Sequence, residues 1–133
     1  MSAIWQQRRV ADCLFRYNNI GGFIMTSALI PVLLGIIIIG LGVSNMKGNI
    51  SSIHWYHRQR VTEADRIPFG KAVGLGTIIM GAGIAVLGCM NYAAEKTQND
   101  IFVAIGSVIL IAALVVGLVI SFWAMIKYNK GIF

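Results

Sequence analysis

Three long apolar segments dominate the pattern of hydrophobic and polar positions along this chain. They cover residues 23–43, 72–92 and 101–126, and none of them contains Asp, Glu, Lys, Arg or His. A helix rises about 1.5 Å per residue, so about 20 apolar residues cross a hydrocarbon layer about 30 Å thick. The pattern therefore predicts an all-α integral membrane protein whose three spans pack as a three-helix bundle.

The polar segments between and around the spans are short. They are an N-terminal segment 1–22, a connector 44–71, a loop 93–100 and a tail 127–133, and none is long enough for a folded domain of its own. Hydrophobic residues make up 57% of the chain and charged residues 12%, whereas about 25% are charged in a soluble domain. The composition thus excludes a water-soluble core.

The basic residues are unevenly divided between the two predicted sides of the membrane. The connector and tail hold seven of the eleven Lys and Arg, and the N-terminal segment and the loop hold four. Basic residues accumulate on the cytoplasmic side, so the connector and C-terminus are predicted to be cytoplasmic in a bacterial cell membrane. Because these charges flank spans, the net charge of +6 is interpreted as a topology signal, and no nucleic-acid partner is expected.

The N-terminal segment 1–22 has the pattern of an amphipathic helix. At 100° per residue its apolar side chains, among them Leu14 and Phe15, lie on one side, and Arg8, Arg9 and Arg16 gather on the other. Such a helix is typical of a segment that lies in the membrane interface.

Small residues recur every seven positions inside the spans. The first span has one such series, and the second span has two: Ala28, Gly35 and Gly42; Gly74, Gly81 and Gly88; Gly76 and Gly83. A seven-residue step keeps small residues on one face, where they allow two helices to approach closely in lipid. The two series of the second span are about 160° apart, so this span is predicted to be central. The hypothesis left open is that one series seals an oligomer.

The connector contains the candidate binding residues. Aromatic and basic side chains are concentrated there, and they are expected to contact lipid headgroups or a partner protein: Trp55, Tyr56, His57, Arg58 and Arg60. Asp65 is a candidate cap for a helix that continues into the second span. His54 and His57 are too few for a metal site without a third fixed ligand. No catalytic or metal residue, and no cofactor, is predicted.

Ionisable groups at mid-membrane depth are missing from the three spans, which argues against a proton-coupled or ion-coupled carrier. A pore lined by glycines and hydroxyls in a homo-oligomer stays open as an alternative. For Pro31 a benign kink in the first span is the commoner outcome, and exposure of a backbone carbonyl is the alternative.

Several short motifs resemble a known family. They are Lys47-Gly48-Asn49-Ile50-Ser51-Ser52-Ile53-His54-x-Tyr56-His57, Thr62-Glu63-x-Asp65, Phe69-Gly70-Lys71 and Gly74-Leu75-Gly76-Thr77. Over residues 25–126 the chain resembles small three-span membrane proteins of bacteria, common in Firmicutes, that are grouped as a domain of unknown function. It is also loosely similar to Sdp toxin-immunity proteins. The resemblance implies a membrane immunity or envelope-stress function and supplies no catalytic residue.

These observations favour a small non-enzymatic membrane protein that acts as an accessory or partner-binding subunit through its connector. The alternatives are a homo-oligomeric channel or uncoupled facilitator, and an immunity protein that binds a toxin in the membrane. Membrane lipids are the expected partners, together with further copies of the chain or another protein.

Overall fold

In a computed structural model the chain is helical, and the structure describes residues 6–9, 22, 25–49 and 61–128. A π-helical turn, Met25–Leu29, leads into α1, Ile30–Met46; α2 is Arg66–Thr97 and α3 is Ile101–Tyr128. Within these described ranges there is no strand. The predicted all-α class with three long apolar helices is confirmed.

The three helices form a row with α2 in the middle. Both α1 and α3 pack along α2 in antiparallel orientation, and they make almost no contact with each other. The predicted central position of the second span agrees with these contacts, although the row is not a closed triangular bundle. In a triangular bundle the two neighbours of a helix are about 60° apart around its axis, whereas the small-residue faces of α2 are about 160° apart. Helices seated on faces so far apart cannot meet.

Small residues bring the backbones of α1 and α2 together. They face each other in three pairs: Ala28 with Gly88, Gly35 with Gly81, and Gly42 with Gly74. A Cβ atom on Gly35 would lie 2.6 Å from the carbonyl oxygen of Gly81, and one on Gly88 would lie 2.6 Å from that of Ala28. Any side chain larger than hydrogen at these glycines would therefore push the two helices apart.

The opposite face of α2 holds α3 by similar contacts. A Cβ atom on Gly76 would lie 2.6 Å from the carbonyl oxygen of Gly117 and 2.7 Å from the hydroxyl of Ser121. A Cβ atom on Gly83 would lie 2.5 Å from the methyl group of Ala113. Since α2 is in close backbone contact on two sides, it is the helix on which the fold depends.

A small apolar cluster closes the α2–α3 contact at the end where α3 finishes. Phe69 and Ala124 are fully buried there, and Val73 is nearly so. The ring of Tyr128 meets that of Phe69 edge to face, with centroids 6.5 Å apart. Phe69 lies in the first turn of α2, before the predicted second span 72–92, and Val73 is the second residue of that span.

The second helix is longer than its apolar run. It contains 32 residues, or about 48 Å, which is more than the thickness of a hydrocarbon layer, about 30 Å. Asp65 stands at its N-cap position as predicted, but its carboxylate makes no capping bond and accepts a hydrogen bond of 2.8 Å from the Thr62 hydroxyl. Pro68 is tolerated because the first-turn N–H groups have no partner inside the helix. At the other end, Gln98 takes a left-handed conformation and stops the helix.

Most of the N-terminal segment lies outside the described residues. Residues 6–9 are helical and exposed, as is residue 22. The predicted amphipathic interfacial helix over 1–22 therefore stays a prediction.

Candidate functional site

A polar cluster joins the π turn that precedes α1 to the end of α2. The Ser27 hydroxyl donates a hydrogen bond of 2.7 Å to Glu95 Oε1, and the Asn91 amide nitrogen donates one of 2.8 Å to the Ser27 carbonyl oxygen. Asn91 and Glu95 are four residues apart, so they lie on the same face of α2. The same face carries the glycines that contact α1.

The local sequence explains why Ser27 is available to α2. Pro31 has no backbone N–H, so the carbonyl four residues earlier, that of Ser27, lacks its usual α-helical partner. The chain forms a π turn over Met25–Leu29 at this point. Such turns disturb the regular ladder of helical hydrogen bonds and are frequent at functional sites. The Asn91 amide nitrogen donates a hydrogen bond to the Ser27 carbonyl oxygen, where the N–H of a residue other than proline at position 31 would donate.

Two oxygen atoms in the cluster are buried without a hydrogen-bond donor. They are Asn91 Oδ1 and Glu95 Oε2, and each is fully shielded from solvent although its side chain is partly exposed. A buried acceptor without a donor costs about 1–3 kcal/mol, and more if it is charged. In the cluster, Glu95 Oε1 and the Asn91 amide nitrogen have hydrogen-bond partners on Ser27, whereas Glu95 Oε2 and Asn91 Oδ1 have none.

Asn91 and Glu95 also line a pocket of about 440 Å³. We call it the polar pocket, and its lining residues are Ser27, Asn91, Ala94, Glu95, Gln98, Asp100 and Val103. Among these described residues two are carboxylates and none is basic. The nearest base along α2, Lys96, is exposed and holds its ammonium nitrogen 5.7 Å from the centre of the Tyr92 ring. In the described part of the chain no three His, Cys, Asp or Glu side chains gather as metal ligands.

Sequence reasoning missed this site. Hydropathy ended the second span at residue 92 and assigned Glu95 to a loop, whereas α2 continues to Thr97. A signal was present, because one more seven-residue step from Gly74, Gly81 and Gly88 arrives at Glu95. A carboxylate at that step belongs to the face that contacts the first apolar helix.

The opposite end of the row is basic and aromatic. The ammonium nitrogen of Lys127 lies 4.6 Å from the ring centre of Trp123 and 5.2 Å from that of Tyr128. Arg66 donates a hydrogen bond of 3.0 Å from Nε to the Gly48 carbonyl oxygen, which ties the start of α2 to the end of α1. Four basic side chains of the described residues lie at this end, which we call the basic end: Lys47, Arg66, Lys71 and Lys127.

The predicted connector site falls in a part of the chain that the structure leaves undescribed. Its members, Trp55, Tyr56, His57, Arg58 and Arg60, belong to residues 50–60, which lie outside the described ranges. The flanking described residues, Asn49 and Val61, are both at the basic end, where Val61 packs against the buried cluster. The connector thus leaves and rejoins the row at its basic end.

Comparisons of the chain with protein-family models, with curated proteins and with solved structures find no match. The resemblance to small bacterial three-span proteins and to Sdp immunity proteins therefore rests on the sequence motifs alone and stays a prediction.

Proposed function

We propose that the chain is a multi-pass membrane protein whose three helices each cross the bilayer. The supporting observation is the apolar surface that the row presents. The most apolar 18-residue windows of Thr26–Met46, α2 and α3 have mean hydropathies of 2.4, 2.0 and 3.0, yet only 17%, 33% and 11% of each is buried. On α3, Val108, Ile111 and Val119 are each more than 60% exposed. Contiguous apolar surface of this kind is unfavourable in water and suits lipid.

Cysteine labelling tests this insertion. In a variant with both native cysteines replaced by Ser, Ala82→Cys places a thiol on an exposed position halfway along the apolar run of α2. We expect a charged maleimide to label it only after SDS is added, because the reagent does not enter the bilayer. Gln98→Cys is the matched control at the exposed end of the same helix, and it should react at once. Equal reaction of both thiols would refute the insertion.

The same reagent tests orientation in intact bacteria. The excess of basic residues favours a cytoplasmic location for the basic end. We therefore expect Gln98→Cys to be labelled from outside and Lys47→Cys to be protected until the cells are opened. The reverse pattern would contradict the proposed topology.

We further propose that the protein is a non-enzymatic accessory subunit that contacts anionic lipid headgroups at its basic end. Four basic side chains at this end outnumber the acids Glu63 and Asp65, and the connector adds Arg58 and Arg60. Trp123 and Tyr128 are of the type that is enriched at the membrane interface. Lys127, held close to both rings, carries its charge to the same level. Anionic lipid attracts each such basic residue by about 1 kcal/mol.

Native mass spectrometry from mixed nanodiscs tests this function. We expect the protein to retain phosphatidylglycerol in preference to phosphatidylcholine, and a double Arg58→Gln, Arg60→Gln variant to lose about 1 kcal/mol of this preference per arginine. A Gln59→Asn variant is the control, because it changes the same connector without changing its charge. Unchanged retention in the connector variant would contradict the lipid contact.

The same spectra report how many chains assemble. A single chain, or a complex with another protein, agrees with an accessory subunit. A closed ring of identical chains would favour the alternative of a homo-oligomeric pore and would call for conductance measurements.

A further inference from the structure

We propose that one phosphate group binds in a pocket between the end of α1 and the start of α2, where Arg66 and Lys47 hold it. We call it the hairpin pocket. Its volume is about 450 Å³, and its lining residues are Lys47, Gly48, Asn49, Glu63, Arg66 and Ile67. The ligand is defined by its phosphate, which two sources supply: the headgroup of a phospholipid or free phosphate. The lipid source rests on the proposed function, because it gives the lipid contact of the basic end one defined site.

The turn that ends α1 forms one wall of the hairpin pocket. The Gly48 N–H donates a hydrogen bond of 3.0 Å to the Asn45 carbonyl oxygen, and the Asn49 N–H donates one of 3.3 Å to that of Ser44. Gly48 has a φ of +82° in this turn, a left-handed conformation that glycine adopts without strain. The peptide groups of the turn are thus fixed, and the Gly48 carbonyl oxygen can accept a hydrogen bond from a side chain.

Arg66 is held at the pocket by that carbonyl oxygen. Its Nε donates a hydrogen bond of 3.0 Å to Gly48, and a guanidinium has five N–H donors, so four are left after this bond. The Glu63 carboxylate lies 3.6 Å from Nη1, which is longer than a hydrogen bond, and its side chain is 89% exposed, so this ion pair contributes little. A guanidinium with a fixed position and unused N–H donors is suited to bind the oxygens of a phosphate.

Lys47 adds a second cation to the pocket. Its side chain is exposed and makes no ion pair or hydrogen bond with the part of the chain that the structure describes. Among the described lining residues there are two cations and one anion, so the charge favours an anionic ligand. The start of α2 acts in the same direction, because its first N–H groups have no partner inside the helix and the Asp65 carboxylate does not cap them.

The hairpin pocket lies at the level of the lipid phosphates when α1 and α2 cross the bilayer. Lys47 is four residues beyond the first apolar run and Arg66 is six residues before the second, which is about 6 Å and about 9 Å along a helix. The headgroup layer occupies this depth, directly outside the hydrocarbon. Ile67 lines the pocket and is 55% exposed, so it offers an apolar contact to the glycerol backbone of a lipid.

Native mass spectrometry from nanodiscs of phosphatidylglycerol and phosphatidylcholine tests the site. We expect one phosphatidylglycerol to stay bound at collision energies that remove the others. Lys47→Gln should weaken the binding of this lipid at least about tenfold more than Lys71→Gln, which removes the same charge from the same end but outside the lining residues. The comparison cancels the general attraction of anionic lipid, and Lys47 has no side-chain bond whose loss would unfold the protein. Equal effects of the two variants would overturn the proposal.

A charge-conserving change tests the guanidinium of Arg66. Arg66→Lys keeps the positive charge and loses the planar set of N–H donors, and we expect it to weaken the binding of the retained lipid at least about tenfold. Lys71→Arg is the matched control, because it exchanges the same two residue types outside the pocket. Unchanged retention in Arg66→Lys would overturn the proposal.

Titration with sodium phosphate in dodecyl maltoside micelles, followed by calorimetry, separates the two sources. Sodium chloride at equal ionic strength is the control. Saturable binding that Lys47→Gln weakens would identify free phosphate as a ligand, and retained phosphatidylglycerol without phosphate binding would identify the lipid. Absence of both would overturn the proposal.

The same measurements distinguish failure of the pocket from failure of the proposed function. Binding of free phosphate without a preference for phosphatidylglycerol would refute the lipid contact and leave the pocket in place. A preference for phosphatidylglycerol that Lys47→Gln and Lys71→Gln reduce equally would refute the pocket and leave the lipid contact in place.

Discussion

Replacement of Gly35 by alanine is the sharpest test of the α1–α2 contact. The new Cβ atom would lie 2.6 Å from the Gly81 carbonyl oxygen, 2.7 Å from the Ala85 backbone nitrogen and 2.8 Å from the Ala85 methyl group. Ordinary contact begins at 3.4 Å, so the helices would have to separate locally by up to 3.4 − 2.6 = 0.8 Å. Two of the three opposing atoms belong to the backbone, so no side-chain rotation relieves the clash.

The expected cost follows from a comparison with Gly40 on the same helix. A Cβ atom on Gly40 meets nothing within 4 Å, so Gly40→Ala changes helix propensity alone, by about 1 kcal/mol in favour of the variant. Gly35→Ala has the same gain, opposed by an overpacking cost of about 1–3 kcal/mol. The propensity terms cancel in the difference, and Gly35→Ala should therefore be less stable than Gly40→Ala by about 1–3 kcal/mol.

Reversible unfolding in mixed micelles of increasing SDS content, followed by tryptophan fluorescence, measures this difference. Ala85→Gly removes one of the three opposing atoms but by itself costs about 1 kcal/mol of helix propensity, so the recovery should be measured as the coupling energy of the double-mutant cycle with Gly35→Ala. Equal stabilities of Gly35→Ala and Gly40→Ala would refute the close packing of α1 on α2.

The same assay tests two further contacts. Phe69→Ala empties a fully buried position and should cost about 3–5 kcal/mol, whereas Phe122→Ala, on a side chain that is 46% exposed, should change stability by less than about 0.5 kcal/mol. Asn91→Ala removes a hydrogen bond between helices and should cost about 0.5–1.5 kcal/mol more than Thr97→Ala, whose hydroxyl bonds only within α2. A costly Phe122→Ala, or equal effects of Asn91→Ala and Thr97→Ala, would contradict these contacts.

The helical class and the three apolar helices are predictable from the sequence because hydropathy and length are local properties. The bounds of α2 are less so. Its apolar run ends at residue 92, but Ala93, Ala94, Glu95 and Lys96 are all good helix formers and extend it to Thr97. The apolar run marks the part of a helix that suits lipid, and the helix itself ends where the backbone finds a stop, here the left-handed Gln98.

The arrangement of the helices in a row can also be predicted from the sequence. Gly81 and Gly83 are two residues apart, which places their faces about 160° apart on α2, and helices on such faces cannot close a triangle. The polar pocket was harder to predict. Asn91 and Glu95 are on one face by spacing alone, but their pairing with Ser27 depends on the register between two helices. Sequence spacing within one helix does not fix that register.

Because α1 and α3 make almost no contact, the three helices form a short one-dimensional array in which each helix packs only on its neighbour. Its stability should be close to the sum of two nearest-neighbour terms, as in repeat proteins, and mutations at the two interfaces should add. Because α1 packs on α2 and hardly contacts α3, the α1–α2 hairpin can assemble during synthesis before α3 leaves the ribosome. α3 then docks onto the free face of α2. The faces of α1 and α3 that point away from α2 have no helix packed on them within the described residues.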